Sequence, residues 1–276
     1  LSNVALNYCL IFGKGGFPAA GIAGAAIASS VSEAVSLLFF IIYTSMTADK
    51  RKYGFRRAFT LRPHLLKGML SISGWTMVQS FISVSIWFIF FLAIEHLGER
   101  PLAVTNIVRN ISALLIMVIS AFATTAGALI SNQIGAGEQR CLFKTCGMTL
   151  KLTYAILIPL LIILCLFPES VLRAFTDSPS LIAASVNSVY VMASSTLIMA
   201  PSFILFNAVS GTGNTRAGFI MEMISLAVYT AVIYYGIIRL KPDVALCWFS
   251  EHVYGVTLIF LAWWYLKSGK WRGKKV

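Results

Sequence analysis

Residues 68–94 read GMLSISGWTMVQSFISVSIWFIFFLAI, with no Asp, Glu, Lys or Arg. A helix needs roughly 20 apolar residues to cross the hydrocarbon of a bilayer, so this stretch reads as a membrane-spanning helix. Working outward, stretches of the same kind occupy residues 17–46, 102–131, 145–167, 181–209, 217–238 and 245–266, after an apolar tail at 1–12. With 58% hydrophobic and 12% charged residues, the chain is outside the range of ordinary soluble domains, whose charged share is near a quarter. The fold class read from this pattern is an all-α polytopic membrane protein.

The connectors between the stretches sort into two kinds. One set carries Lys50, Arg51, Lys52, Arg56, Arg57, Arg62 and Lys67, then Arg140, Lys144 and Lys151, then Arg216, then Lys267, Lys270, Arg272, Lys274 and Lys275. The alternate set carries only Lys14, Arg100, Arg173, Arg239 and Lys241. Cytoplasmic loops collect Lys and Arg while translocated loops do not, so the basic set marks the inside face and the carboxyl end is expected in the cytoplasm of a multi-pass cell (inner) membrane protein. Seven crossings between residues 17 and 266 keep this alternation in step throughout. The net charge of +12 is accounted for by topology and by attraction to anionic lipid headgroups, and no nucleic-acid partner is needed.

Cys9, Cys141, Cys146, Cys165 and Cys247 show neither a C-x-x-C nor a zinc spacing and lie in or beside apolar segments, so they read as small buried hydrophobes. Leu1 to Phe12 resembles the end of a helix whose beginning is absent, and the chain is expected to be part of a longer protein. Ala20, Gly24 and Ala28 recur every four positions, which lets another helix approach closely on that side. Residues 47–67 form the longest connector, with Phe55, Phe59 and Leu61 suited to the membrane surface. Trp263, Trp264, Tyr265 and Trp271 are expected to form an interfacial belt at the inside end of the last helix.

Two inside turns are distinctive: Gln133-Ile134-Gly135-Ala136-Gly137-Glu138-Gln139-Arg140 and Val209-Ser210-Gly211-Thr212-Gly213-Asn214-Thr215-Arg216. Each on its own is a glycine-rich turn, since Gly admits positive φ; neither is a phosphate loop, because no Lys-Ser/Thr follows and no strand precedes. Together with Gly16-Phe17-Pro18-Ala19-Ala20-Gly21-Ile22-Ala23-Gly24-Ala25-Ala26, they resemble the multidrug and toxic-compound extrusion (MATE) family over essentially the whole chain. The resemblance implies a two-bundle transporter fold of twelve helices around a central cavity, of which this chain is the end of the fifth helix and the sixth to the twelfth. Residues 1–46 would then end the amino-terminal bundle, 47–67 join the bundles in the cytoplasm, 68–266 form the carboxyl-terminal six-helix bundle and 267–276 a basic tail. It also implies an antiporter that expels organic, often cationic, drugs or toxins in exchange for H+ or Na+, with small organic cations, the coupling ion, membrane lipids and the missing amino-terminal helices as its partners.

A charge within hydrocarbon costs about 2.5–3.5 kcal/mol on insertion scales, so each one needs a partner, a wet cavity or a function. Glu33, Arg109, Glu222 and Glu251 stand well inside the apolar stretches and are the candidates for cation coupling. Glu33 shares a helical face with Ala26, Ser29, Ser30 and Ser36 and is either a proton-exchanging acid or a hydrogen-bonded contact. Arg109 shares one with Asn106, Asn110 and Met117; it and Glu251 lie at similar depth, and they are expected to meet as a structural ion pair or as a pair that an incoming cation disrupts. Glu222 shares a face with Ser225 and Tyr229, nearer the inside end.

Members of the family known for Na+ coupling place acids in the seventh and tenth helices, yet residues 68–94 and 181–209 contain none. Gln79, Ser83, Asn187 and Ser194 offer neutral oxygens there, so coupling is expected to shift to Glu222 and Glu251 or to the first helix. For substrate, Trp75, Trp87, Tyr190, Met192 and Met199 offer a polarizable wall, and Asn106, Asn110, Gln79, Asn187 and Tyr229 offer polar cavity contacts. Pro201 is either a bend for alternating access or a static kink. A flippase for lipid-linked saccharides on a related plan is the alternative, weakened because Arg109 is the single cation available to meet a pyrophosphate. An integral membrane enzyme lacks support: no H-E-x-x-H, Ser/Lys or paired-aspartate signature occurs, and His64, His96 and His252 belong to separate segments. No cofactor, metal ligand set or catalytic residue is read from the sequence.

Overall fold

The computed structural model describes residues 2–48, 62–269 and 271, of residues 71 and 72 only the backbone. The connector expected over 47–67 and the tail expected over 267–276 therefore lie largely outside the described residues. Among the described residues, seven helices are long and apolar enough to cross a membrane. The chain divides into two units, residues 1–66 and 67–276.

In the first unit α1 (Ser2–Phe12) returns through a glycine-rich turn into α2 (Gly21–Thr47). The amide of Ala20 donates to the Leu10 carbonyl at 2.9 Å and that of Lys14 to Cys9 at 3.0 Å. Gly24 and Ala28 are the buried residues of α2; a Cβ on Gly24 would lie 2.5 Å from the Leu10 carbonyl oxygen, so the small-residue stripe serves close packing of α2 on α1. The far half of α2, Leu37 through Tyr43, stands exposed in an apolar row, as expected of a surface that meets lipid.

The second unit carries α3 (Pro63–Glu95), α4 (Glu99–Gly135), α5 (Leu142–Leu166), the single turn α6 (Pro168–Leu172), α7 (Pro179–Gly211), α8 (Thr215–Val232), the short α9 (Val244–Cys247) and α10 (Ser250–Ser268). α7 is the central element, in contact with α4, α5, α8 and α10. Val104, Val108, Ile111, Leu115 and Ile119, then Ala123, Ala126 and Ile130, trace the buried face of α4 at helical spacing. At the far end of that face the chains nearly touch: a Cβ on Gly211 would lie 2.5 Å from the Gly127 carbonyl oxygen. Hydrophobicity supplies little drive between helices in lipid, so such close approach matters.

Most helices outrun the apolar stretches by a few residues at their ends, though α2 begins at Gly21 and α5 ends at Leu166, inside theirs, and three details were not visible in hydropathy. α8 continues as a π-helical segment, Ile233–Arg239. The last crossing is broken into α9 and α10, with Asp243 capping the start of α9 through a 2.9 Å bond from the Val244 amide. Trp271 is buried and donates its indole N–H to the Leu266 carbonyl at 2.9 Å; it leaves the belt expected of it, while Trp263 and Trp264 remain exposed.

The two glycine-rich turns close as tight helix connections, with φ of 81° at Gly137 and 77° at Gly213, values that side chains with a Cβ rarely adopt. Asn214 caps α8 by accepting from the Ala217 amide at 3.3 Å and donates to the Tyr265 hydroxyl at 2.6 Å. Pro201, inside α7, has no amide to give to the Leu197 carbonyl, four residues earlier; the Tyr154 hydroxyl of α5 donates to that oxygen at 2.7 Å. All five cysteines are free.

Candidate functional site

On α8 the periodicity that buries Leu226 and Tyr229 also buries Glu222, one turn earlier. On α10 Glu251 occupies the first turn, at the positive end of the helix dipole, and Tyr254 follows one turn later on the same side. Ser83, Val84 and Trp87 of α3, Ile116 of α4, and Met199 and Phe203 of α7 complete a wall with Glu222, Leu226, Tyr229, Glu251 and Tyr254 around a cavity of about 410 Å³. A drug-sized organic molecule fits a space of that order. Met199 and Phe203 stand either side of Pro201, so the interruption of α7 lies in the cavity wall.

Each carboxyl group is held by a tyrosine. Glu222, 3% exposed, accepts from the Tyr254 hydroxyl and from Ser83 Oγ at 2.9 Å each, both at Oε1, and its Oε2 is buried with no hydrogen-bond partner among the described residues. Glu251 accepts from the Tyr229 hydroxyl at 2.7 Å. The two tyrosine rings meet edge to face, centroids 5.8 Å apart at 68°, a favoured aromatic geometry. The acids thus belong to one connected arrangement across α8 and α10 in which, among the described residues, neither has an ion-pair partner.

Arg109 departs from expectation. It does not pair with Glu251; its guanidinium carbon lies 5.9 Å from the Trp87 ring centroid and 5.2 Å from that of Phe91, so ring faces on α3 take the place of a carboxylate. Similar depth in two helices does not bring side chains together unless they face one another, and Glu251 faces Tyr229 on α8. Among the remaining candidates, Met199 and Tyr229 line the cavity; Gln79 lies one turn before Ser83, and its carbonyl accepts from Ser83 Oγ at 2.9 Å. Asn106, Asn110, Asn187 and Tyr190 do not line it, and Tyr190 instead donates to the Cys165 carbonyl at 3.4 Å. Ser194 bonds His252 Nε2 at 2.9 Å. Glu33 belongs to the other unit, where it is exposed on α2.

A family model described as MatE matches residues 76–235, more than half of the chain and all of α4 through α8. This chain belongs to the MatE family. A relative described as a probable multidrug resistance protein NorM of Thermotoga maritima is 25% identical over 99% of this chain and 59% of its own length. An uncharacterized transporter of Bacillus subtilis, YisQ, is 24% identical over 81% of this chain and 49% of that protein. The chain therefore spans about half to three-fifths of the length of these two relatives. Among solved structures, a MOP superfamily transporter of Pyrococcus furiosus superposes with a TM-score of 0.80 at 18% identity, over 97% of this chain and 60% of that one. A MATE structure in the straight conformation gives 0.78 at 16% identity, with the same coverage. The MatE fold, all-α and polytopic, is thereby shown.

Within this MatE chain, sequence reasoning missed Tyr254, Val84, Phe203, Leu226 and Ile116. Tyr254 carried a signal: it lies three residues after Glu251 and so shares its helical face. The others carried none, because an apolar side chain beside a cavity and one beside lipid look alike in sequence.

Proposed function

We propose that this chain is the carboxyl-side part of a secondary active antiporter that exports organic, chiefly cationic, drugs or toxins in exchange for H+ or Na+ by alternating access between two bundles. The observation that carries the reading is the pairing of Glu222 and Glu251 in one apolar cavity of about 410 Å³, where hydroxyl groups rather than cations are their partners. Carboxyl groups in that setting can take an ion or an organic cation and give it up again, since among the described residues no fixed positive charge holds them. Apolar and aromatic walls suit the organic part of a substrate. Relatives named as multidrug resistance proteins support the substrate class.

In this reading residues 1–46 belong to the amino-side bundle, 47–67 connect in the cytoplasm, 68–266 form the carboxyl-side bundle and 267–276 a cytoplasmic tail, in a cell (inner) membrane. Glu33 is a separate acid of the amino-side unit. The flippase reading is the weaker one, because the cavity presents two carboxylates to an anionic lipid and Arg109 lies against rings.

The experiment is efflux of a fluorescent organic cation from vesicles containing the protein in its natural full-length form, with a pH gradient and a sodium gradient imposed separately. One of the gradients should drive efflux, and Glu222→Gln or Glu251→Gln should abolish it at unchanged membrane abundance. Efflux at the normal rate in both variants would remove these acids from the mechanism.

A further inference from the structure

Ser83 has one hydroxyl proton and two acceptors, each at 2.9 Å: Oε1 of Glu222 on α8, and the carbonyl oxygen of Gln79 one turn back on its own helix. A hydroxyl donates to one acceptor at full strength and offers its lone pairs elsewhere. We infer that Ser83 is the residue that reads whether Glu222 carries a cation and passes that state to the backbone of α3. The inference rests on the proposed role of Glu222 in coupling.

Two hydroxyls face Oε1, and they differ in one respect. Among the described residues Tyr254 has Glu222 as the acceptor for its hydroxyl proton, so it remains a donor in either state. Ser83 can reverse. With Glu222 ionised, Ser83 donates to Oε1. A proton arriving at Oε1 forms an O–H bond that points at Ser83 Oγ, and the serine's own hydrogen swings about its Cβ–Oγ bond to the Gln79 carbonyl. The exchange of hydrogens itself requires no prior heavy-atom displacement, and each hydrogen keeps an acceptor. Na+ arriving at Oε1 would demand the same reversal, because it too needs a lone pair from Ser83. Oε2 is a poorer landing place for a proton, since it is buried and has no hydrogen-bond partner among the described residues.

The reversal has a mechanical consequence. A serine that donates to the carbonyl four residues earlier competes with the amide already bonded there and bends its helix. Val84 and Trp87, on the next turn of α3, are walls of the cavity, so a change at Gln79–Ser83 reaches the substrate space. The titratable groups sharing that cavity with Glu222 are Tyr229 on its own helix and Glu251 and Tyr254 on α10, while the walls from α3, α4 and α7 carry none.

The test uses the full-length protein in lipid vesicles, with Ser83→Ala, Ser83→Thr and Glu222→Gln. The infrared band of the protonated Glu222 carboxyl is assigned as the one lost in Glu222→Gln. In Ser83→Ala this band should persist but move to higher frequency, since its hydrogen bond is gone, and efflux should fall about tenfold. Ser83→Thr keeps a hydroxyl that can bond the carbonyl four residues back and should restore both. Normal efflux in Ser83→Ala, or an unmoved band, overturns the inference even where Glu222→Gln is inactive. Should Ser83→Ala fail to accumulate, Ser83→Cys replaces it, with the weaker thiol expected to shift the band part of the way; no shift there also overturns the inference. Normal efflux in Glu222→Gln overturns instead the reading on which it rests.

Discussion

Tyr154 of α5 donates its hydroxyl proton to the Leu197 carbonyl of α7 at 2.7 Å, supplying the bond that Pro201 cannot make. An unpaired carbonyl within a bilayer costs several kcal/mol, so this contact allows a proline at mid-helix next to the cavity while tying the interruption to a neighbouring helix.

Tyr154→Phe should therefore lower stability by about 1–3 kcal/mol. In a Pro201→Ala background, where the amide at position 201 can take over the Leu197 carbonyl, the same substitution should cost far less. Unfolding in detergent, run on both single variants and the double, measures the difference; equal cost in the two backgrounds would show that the tyrosine acts elsewhere.

Gly211→Ala should destabilise by about 1–3 kcal/mol through overpacking, because the new Cβ would lie 2.5 Å from the backbone oxygen of Gly127. Gly147 in α5 has nothing within 4 Å of an added Cβ, and Gly147→Ala should be neutral or stabilise by up to about 1 kcal/mol from helix propensity. Thermal unfolding of the two variants side by side separates them, and an equal loss in both would refute the close approach of α4 and α7.

Tyr229→Phe removes the hydroxyl that Glu251 accepts from at 2.7 Å. With Glu251 intact the loss should slow efflux and lower stability by about 1–2 kcal/mol. Once Glu251→Leu has removed the acceptor, Tyr229→Phe should change little. A double-mutant cycle on both readouts checks this, and additive losses would mean that the two side chains act independently.

The loop charges predict which side each turn faces. Single cysteines placed at Arg173 and at Lys267, in a background lacking the five native cysteines, should react with a membrane-impermeant maleimide from opposite sides, Lys267→Cys from the cytoplasm. Labelling of both from one side would overturn the orientation.

Much of the fold was legible because hydropathy and loop charge are local. Residues 102–131 could only be a crossing helix, and α4 covers them with a few residues to spare at each end. Ala20, Gly24 and Ala28 announced a close helix contact, which Gly24 makes with Leu10. The site was legible in part. Glu222 and Glu251 stood out because charge in an apolar stretch is costly, and both line the cavity. Their partners were not visible, since side-chain pairing depends on the rotation of one helix about its axis relative to another, a quantity set by packing across the whole bundle. Equal depth therefore suggested Arg109 for Glu251, whereas the structure has Tyr229 there and two rings against the arginine.

The sequence by itself determined that helices are long and apolar enough to cross a membrane, where they begin and end to within a few residues, which loops carry positive charge, and which acids stand within apolar stretches; each of these follows from the chemistry of neighbouring residues, whereas burial does not, and Glu33 is exposed while Glu222 is buried. Only the tertiary structure decided that α3, α8 and α10 bring Ser83, Glu222 and Tyr254 to one oxygen atom, because residues separated by 139 and 32 positions meet according to how helices pack and turn.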